Sequence, residues 1–159
     1  MDGVIVKAGA ERIDDLEPLW RALAEHHHSV WPEGGPLRER ADSWARRRAL
    51  YREKLAEPGG VLLIAERDRR PVGYAMVAKA SPSMTWAIED AATLETIVLL
   101  PEVRGSGLGT ALIERVKAEV RANGVTHLGL GVVAANEAAI RFYRRHGFQP
   151  AFVEMTARP

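Results

Sequence analysis

No cysteine occurs in the 159-residue chain, which excludes a disulfide framework, a thiolate nucleophile and any zinc site built on cysteine. Neither sign of charge dominates: 22 Lys and Arg stand against 21 Asp and Glu, so bulk electrostatics do not draw the chain to nucleic acid or to a membrane surface. Any anion site must therefore be local. Long apolar runs are missing as well, since none approaches the ~20 residues needed to span a bilayer. The start, Met1-Asp2-Gly3-Val4-Ile5-Val6-Lys7, lacks the basic segment and long apolar segment of a secretory leader. Together these absences fit a protein of the reducing cytoplasm.

What is present reads as an ordinary globular composition, 47% hydrophobic and 27% charged. A chain this long buries roughly 70% of its unfolded surface on folding, enough for a core that needs no metal or disulfide. With no internal repeat and no linker, residues 1–159 read as one domain.

Residues 4–8 form a β-type run. Leu16, Leu19, Trp20, Leu23 and His27 then fall on one stripe of a helix over residues 13–27, with Asp14 or Asp15 as its cap and Pro18 in its first turn. Residues 31–36 are dense in turn formers. Leu37, Ala41, Trp44, Tyr51 and Leu55 mark a second helix that stops at Glu57-Pro58-Gly59-Gly60. Strands follow at 61–65, 72–78 and 94–100, the first two joined across residues 67–71. The clearest helix spans 107–123, ended by Gly124. Leu128, Leu130 and Val132 alternate as a strand, Asn136 caps a helix to about His146, and residues 148–156 close the chain as one or two short strands. The order β-α-α-β-β-β-α-β-α-β is α/β, but two helices after the first strand separate it from a simple alternating fold.

Within this order, Arg104-Gly105-Ser106-Gly107-Leu108-Gly109-Thr110 lies between a strand stopped by Pro101 and the strongest helix. Free backbone N–H groups at a helix N-terminus, the helix dipole, one arginine and glycines that admit a close oxyanion make a phosphate cradle. A plain glycine-rich turn is the alternative. Thr110 occupies the place where a dinucleotide fingerprint needs its third glycine, and no acid lies between Val120 and Asn136 to hold a ribose. No glycine precedes Lys-Ser or Lys-Thr, as a nucleoside-triphosphate loop requires.

Arg104-x-x-Gly107-x-Gly109, preceded by the strand 94–102 and followed by Asn136-Glu137-Ala138-Ala139-Ile140-Arg141-Phe142-Tyr143-Arg144-Arg145-His146-Gly147-Phe148, resembles the two central motifs of the GCN5-related N-acetyltransferases (GNAT). The resemblance covers residues 94–148. It implies a single-domain fold with a mixed, mostly antiparallel sheet flanked by helices, and acetyl-CoA as cosubstrate. It further implies that the pyrophosphate contacts Arg104, Gly105, Ser106, Gly107, Leu108, Gly109 and Thr110, and that pantetheine pairs with the strand at Ile97, Val98 and Leu99. Pantetheine carries two amides that suit an open strand edge. Gly129 and Gly131 either leave room beside it or pack tightly on a helix.

Acetyl transfer to an amine needs a neutral nucleophile. An amine of pKa ~10.4 costs about 4.6 kcal/mol to deprotonate at pH 7, so a base is useful. Glu95, a carboxylate in an apolar strand, is the candidate base, expected to be partly desolvated with a raised pKa; a solvent-facing or structural ion-pair role is the alternative. Tyr143 is the candidate acid toward the departing thiolate, against a role as a core aromatic. Asn136, Ala139, Ile140 and Tyr143 share one helical stripe that the resemblance turns toward the cofactor, and Asn136 can cap and touch pantetheine at once. His26-His27-His28 point apart on a helix and read as a solvated end rather than a metal site, and Arg46-Arg47-Arg48 as a solvated face. Trp31, Glu33, Trp86, Glu89 and Asp90 lie in loops that border the acceptor if the resemblance holds. The activity implied is acetylation of a primary amine on a metabolite, antibiotic or protein; the alternative is a non-catalytic acyl-CoA-binding regulatory module. A homodimer is compatible with either, and neither calls for nucleic acid, membrane or metal.

Overall fold

The computed structural model describes residues 3–159; Met1 and Asp2, at the head of the stretch tested for a leader, lie outside the described residues. Five strands, β1 (Val4–Ala8), β2 (Val61–Arg67), β3 (Arg70–Lys79), β4 (Ala91–Leu99) and β5 (His127–Gly129), lie in one sheet in the order of the chain. The first three pairings are antiparallel and β4 with β5 is parallel. Helices α1 (Glu17–Val30) and α2 (Arg40–Ala56) precede β2, α3 (Leu108–Ala122) links β4 to β5, and α4 (Glu137–Arg145) follows β5.

The sheet divides two apolar clusters. Ile13, Leu16 and Leu19 with Trp44 and Tyr51 pack on Leu62, Ile64, Tyr74, Met76 and Val98 from one face. On the other, Leu112, Ile113, Val116 and Val120 of α3 pack on Val61, Leu63, Ala75, Val77, Ala92 and Leu94. β2 and β3 are covered on both faces, which is why they read as nearly unbroken apolar runs rather than alternating ones.

Local rules account for most boundaries, and several expectations shift. Pro18 sits in the first turn of α1 as expected. Neither Asp14 nor Asp15 caps that helix, because residues 10–16 form a 3-10 turn and the N-cap is Leu16. The two acids are drawn off instead: Asp14 pairs with Arg48 and Asp15 with Arg12. Glu39 caps α2, accepting from the N–H groups of Ala41 and Asp42, so that helix starts three residues later than its apolar stripe. The β2–β3 connection is a two-residue turn, with Asp68 at φ 50° and Arg69 at φ 62°. Two successive positive φ values match the right-handed twist of a hairpin.

At the C-terminal side the difference is larger. β5 pairs with β4 only over residues 127–129, not through Val132. Residues 149–159 carry no strand, and Phe152, Val153 and Met155 are exposed. A closing strand needs a neighbouring edge to receive its N–H and C=O groups, and β5 ends at Gly129, before it is long enough to offer one.

Gly73 of β3 stands opposite Leu99 of β4. A Cβ there would lie 2.3 Å from Leu99 Cδ2 and 2.6 Å from the Val98 carbonyl oxygen. Gly73→Ala is expected to cost roughly 1–3 kcal/mol in urea denaturation; a stability equal to wild type would show that the strands part there without cost.

Candidate active site

β4 changes face along its length. Ala92 and Leu94 pack on the α3 side, while Thr96 and Val98 face α1 and α2. The register explains the switch, since Met76 stands opposite Thr96 but Val77 opposite Leu94, leaving Glu95 without a counterpart. One extra residue in a strand is a β-bulge, which bends the strand and re-aims side chains. The half-buried Glu95 is that residue.

The bulge is fixed from behind. Thr96 Oγ1 is hydrogen-bonded to the Tyr51 hydroxyl, which also meets the Tyr74 hydroxyl at 3.0 Å. All three residues are buried. Burial pushes both phenols up, Tyr74 well above the ordinary tyrosine value, so this chain of hydroxyls stays neutral. The charge of Glu95 also contributes to raising Tyr51, which places the carboxylate near this group.

Past the bulge, β4 has β3 on one side and, because β5 stops after pairing Thr93, no strand among the described residues on the other. Residues 94–99 thus present a strand edge, and Ile97, Val98 and Leu99 lie along it. An added Cβ at Gly129 or Gly131 would meet nothing within 4 Å. The space beside this edge is open, and the alternative of tight helix packing at these glycines is not met.

Beyond β4 the chain turns through residues 101–107 into α3. Gly105 and Gly107 take φ values of 76° and 87°, which an L side chain adopts only at a cost. The first helical N–H groups have no intrahelical acceptor. No side chain caps α3 and no acid sits in its first turn, whereas Glu39 caps α2 and Asn136 caps α4. Arg104 is exposed and reaches back, its Nε donating to the Leu99 carbonyl at 3.1 Å. Ser106 Oγ donates to the Val103 carbonyl at 2.7 Å. The Leu108 side chain is fully buried, so only its backbone is available. Gly109 is a packing glycine, with Leu99 and Phe142 at 3.2 and 3.5 Å from where its Cβ would be. The exposed Thr110 has its hydroxyl 3.4 Å from His146 Nε2, joining the start of α3 to the end of α4.

α4 packs on the α3 side of the sheet. Phe142 and Phe148 join the α3-side cluster that also takes Ile97 and Leu99, while Ala139, Ile140 and Tyr143 stay half-buried. Tyr143 stands edge-on to Phe142 and Phe148, at centroid distances of 5.6 and 5.8 Å. Its hydroxyl has no hydrogen-bond partner among the described residues. Burial alone pushes its pKa up to about 12. Asn136 is buried; its Oδ1 accepts from the Ala139 N–H at 3.2 Å and its Nδ2 lies 3.5 Å from His26 Nε2.

That last contact was not visible in the sequence, where the three histidines read as a solvated end. His26 meets α4, and His27 is half-buried. The arginine triplet is not a uniform solvated face either. Arg46 pairs with Asp42 and Arg48 with Asp14, while the Arg47 guanidinium lies 4.1 Å from the Trp20 ring centroid. Helical periodicity had put Tyr51 on an apolar stripe, but nothing local announced its bond to Thr96, 45 residues away.

Among the described residues no helix is long and apolar enough to cross a membrane. A family model described as the acetyltransferase (GNAT) family matches residues 20–148. An uncharacterised N-acetyltransferase of Mycobacterium tuberculosis, Rv2669, is 34% identical over 101 residues, covering 64% of this chain and 60% of the relative. The Escherichia coli ribosomal protein bS18-alanine N-acetyltransferase is 38% identical over 80 residues, 50% of this chain and 54% of that one. The matched stretch thus spans little more than half the length of these relatives. Among solved structures, a mutant of protein BH1408 from Bacillus halodurans superposes with a TM-score of 0.81 at 15% identity, covering 98% of this chain and 99% of that one. The aminoglycoside N-acetyltransferase AAC(6')-Iy in complex with CoA gives 0.70 at 18% identity over 99% and 94%. These last two likenesses bear on the fold.

Burial, with the nearby charges of His26 and Arg47, lowers the pKa of His27 below its ordinary 6.5. The unfolded chain then binds the proton more readily than the folded one, so stability is full above about pH 6.5 and falls as pH drops toward the folded value. His27→Gln should flatten this part of a melting-temperature against pH profile; an unchanged slope would remove His27 as its source.

Proposed function

We propose that this chain, which belongs to the acetyltransferase (GNAT) family, transfers an acetyl group from acetyl-CoA directly to a primary amine. One observation carries the reading. The open edge of β4 lies between the uncapped N-terminus of α3 and the bulge at Glu95, and α4, whose Phe142 shares a cluster with Ile97 and Leu99, carries Tyr143 with a hydroxyl that has no hydrogen-bond partner among the described residues. In this reading the backbone amides of Gly105, Ser106, Gly107, Leu108, Gly109 and Thr110 hold the pyrophosphate, and Arg104 adds a full positive charge. The amides of pantetheine pair with Ile97, Val98 and Leu99 as an added strand, and Asn136 borders them.

The acceptor amine attacks the thioester carbonyl, the new C–N bond forms, the C–S bond breaks and the thiolate leaves. Glu95 takes the amine proton, directly or through water. Tyr143 faces the thiolate as a neutral donor. With Tyr143 near 12 and an ordinary thiol near 8.5, full transfer of its proton is uphill by roughly 5 kcal/mol. Its main contribution is therefore a hydrogen bond to sulfur as charge develops there, the proton balance being closed by the one the amine releases. The cysteine-free composition supports direct transfer and a cytoplasmic setting, and residues 1–159 act as one catalytic domain in this reading.

Tyr143→Phe is expected to lower kcat by about 100-fold with little change in the KM for acetyl-CoA, and Glu95→Gln to lower kcat by a similar factor. Turnover is followed by release of free CoA thiol across an amine panel. Calorimetric binding of acetyl-CoA without turnover of any amine would instead leave a non-catalytic acyl-CoA-binding module. Absence of binding would overturn both.

A further inference from the structure

Arg47 is a guanidinium held in place with its hydrogen-bonding capacity unspent. Its neighbours Arg46 and Arg48 each have an acidic partner, Asp42 and Asp14. Arg47 has no carboxylate, and none of its five N–H donors has a hydrogen-bond acceptor among the described residues. It is half-buried, and its position is set by rings, with the guanidinium carbon 4.1 Å from the Trp20 centroid and 5.6 Å from that of Tyr51. Trp20 is itself anchored, its indole N–H donating to Ser43 Oγ at 3.1 Å. Stacking of this kind uses the flat face of the guanidinium and leaves its edge free for a planar anion.

Its place in the fold gives the edge a purpose. Tyr51 is one turn along α2 from Arg47 and is bonded to Thr96, the residue next to the bulge at Glu95. Arg47 also acts electrostatically on His27 of α1, beside the His26 that meets Asn136 of α4. A fixed cation and the Glu95 carboxylate therefore flank one tyrosine, at the meeting of α1, α2, β4 and α4. A small molecule with its amine at Glu95 and an anionic group at Arg47 would satisfy both ends. A half-buried guanidinium with no hydrogen-bond acceptor among the described residues suits a carboxylate, whose two oxygens match two parallel N–H donors.

We propose that Arg47 is an acceptor-binding residue and that the acceptor is a small amine bearing a carboxylate, of the amino-acid class; this rests on the acetyl-transfer reading. The balance is that of the parent reaction. The amine nitrogen gains the acetyl group and gives up one proton, and CoA leaves as the thiol with that proton, while the carboxylate is untouched.

The test uses matched pairs that differ only in the carboxylate: L-phenylalanine against phenethylamine, 4-aminobutyrate against propylamine, and L-lysine against 1,5-diaminopentane. Wild type is expected to show kcat/KM about 10- to 100-fold higher for the carboxylate member of at least one pair. In Arg47→Gln that ratio should fall to near unity, and in Arg47→Lys it should recover in part. The ratio is independent of how much of a variant is folded. A wild-type preference for the plain amines, or a ratio unmoved in Arg47→Gln, would overturn the proposal. If no amine in the panel is turned over, the acetyl-transfer reading fails, and Arg47 is judged separately. Calorimetric titration of the CoA-loaded protein with the same amino acids should give heat in wild type that Arg47→Gln loses, and no heat in wild type would overturn it.

Discussion

The separation of β4 from β5 after three residue pairs is the constraint on which the candidate site depends. A strand edge deprived of its neighbour must have its N–H and C=O groups met by water or by a ligand. Here the edge opens on the same stretch where a bulge at Glu95 has turned β4 over. The bulge in turn requires support, because an extra residue in a central strand disrupts the ladder. The three buried hydroxyls of Tyr51, Tyr74 and Thr96 give that support from the opposite face. Being neutral and mutually bonded, they hold the bend without placing a charge in the core.

The helix ends divide along the same line. Glu39 and Asn136 close the N-termini of α2 and α4 with side-chain oxygens, so those helices have little to offer an anion. α3 receives no such cap and no acid in its first turn, and Gly105 and Gly107 bend the chain so that its amides face outward. An uncapped helix gives up roughly 1 kcal/mol of stability. In the proposed reading a bound pyrophosphate offsets that cost through the same N–H groups and the arginine beside them.

Much of this was legible before any coordinates. Gly107 and the apolar period behind it located α3 to within a residue, and Asn136 as a cap fixed the start of α4. Both depend on short-range rules. The failures are long-range. Asp14 and Asp15 looked like caps because nothing in the local sequence said that Arg48 and Arg12 would claim them. The Asp68-Arg69 turn lacks the glycine that advertises such a hairpin. The alternation from Leu128 to Val132 describes a strand only if a partner runs alongside, and β4 leaves after Thr93. The expected strand over residues 148–156 failed with it, since its edge was never built. Nor did the apolar run around Glu95 announce the bulge that puts Ala92 and Leu94 on one face of the sheet and Thr96 and Val98 on the other.

The two halves of the site were readable to different degrees for a physical reason. The donor side is made largely of backbone: amides at a helix start, a strand edge and glycines that clear the way. Backbone features of this kind leave a signature in glycine spacing and strand–turn–helix order, which a single chain can display. In the proposed reading the acceptor side is made of side chains from α1, α2, β4 and the start of α4 that meet only in the folded molecule. A histidine triplet and an arginine triplet gave no sign that His26 would reach Asn136 or that Arg47 would stack on Trp20 while its neighbours found acids. In the proposed reading, specificity for the acceptor therefore resides in tertiary convergence. In that reading the amine taken can change through Arg47 or Trp20 while the residues of the glycine-rich turn stay the same.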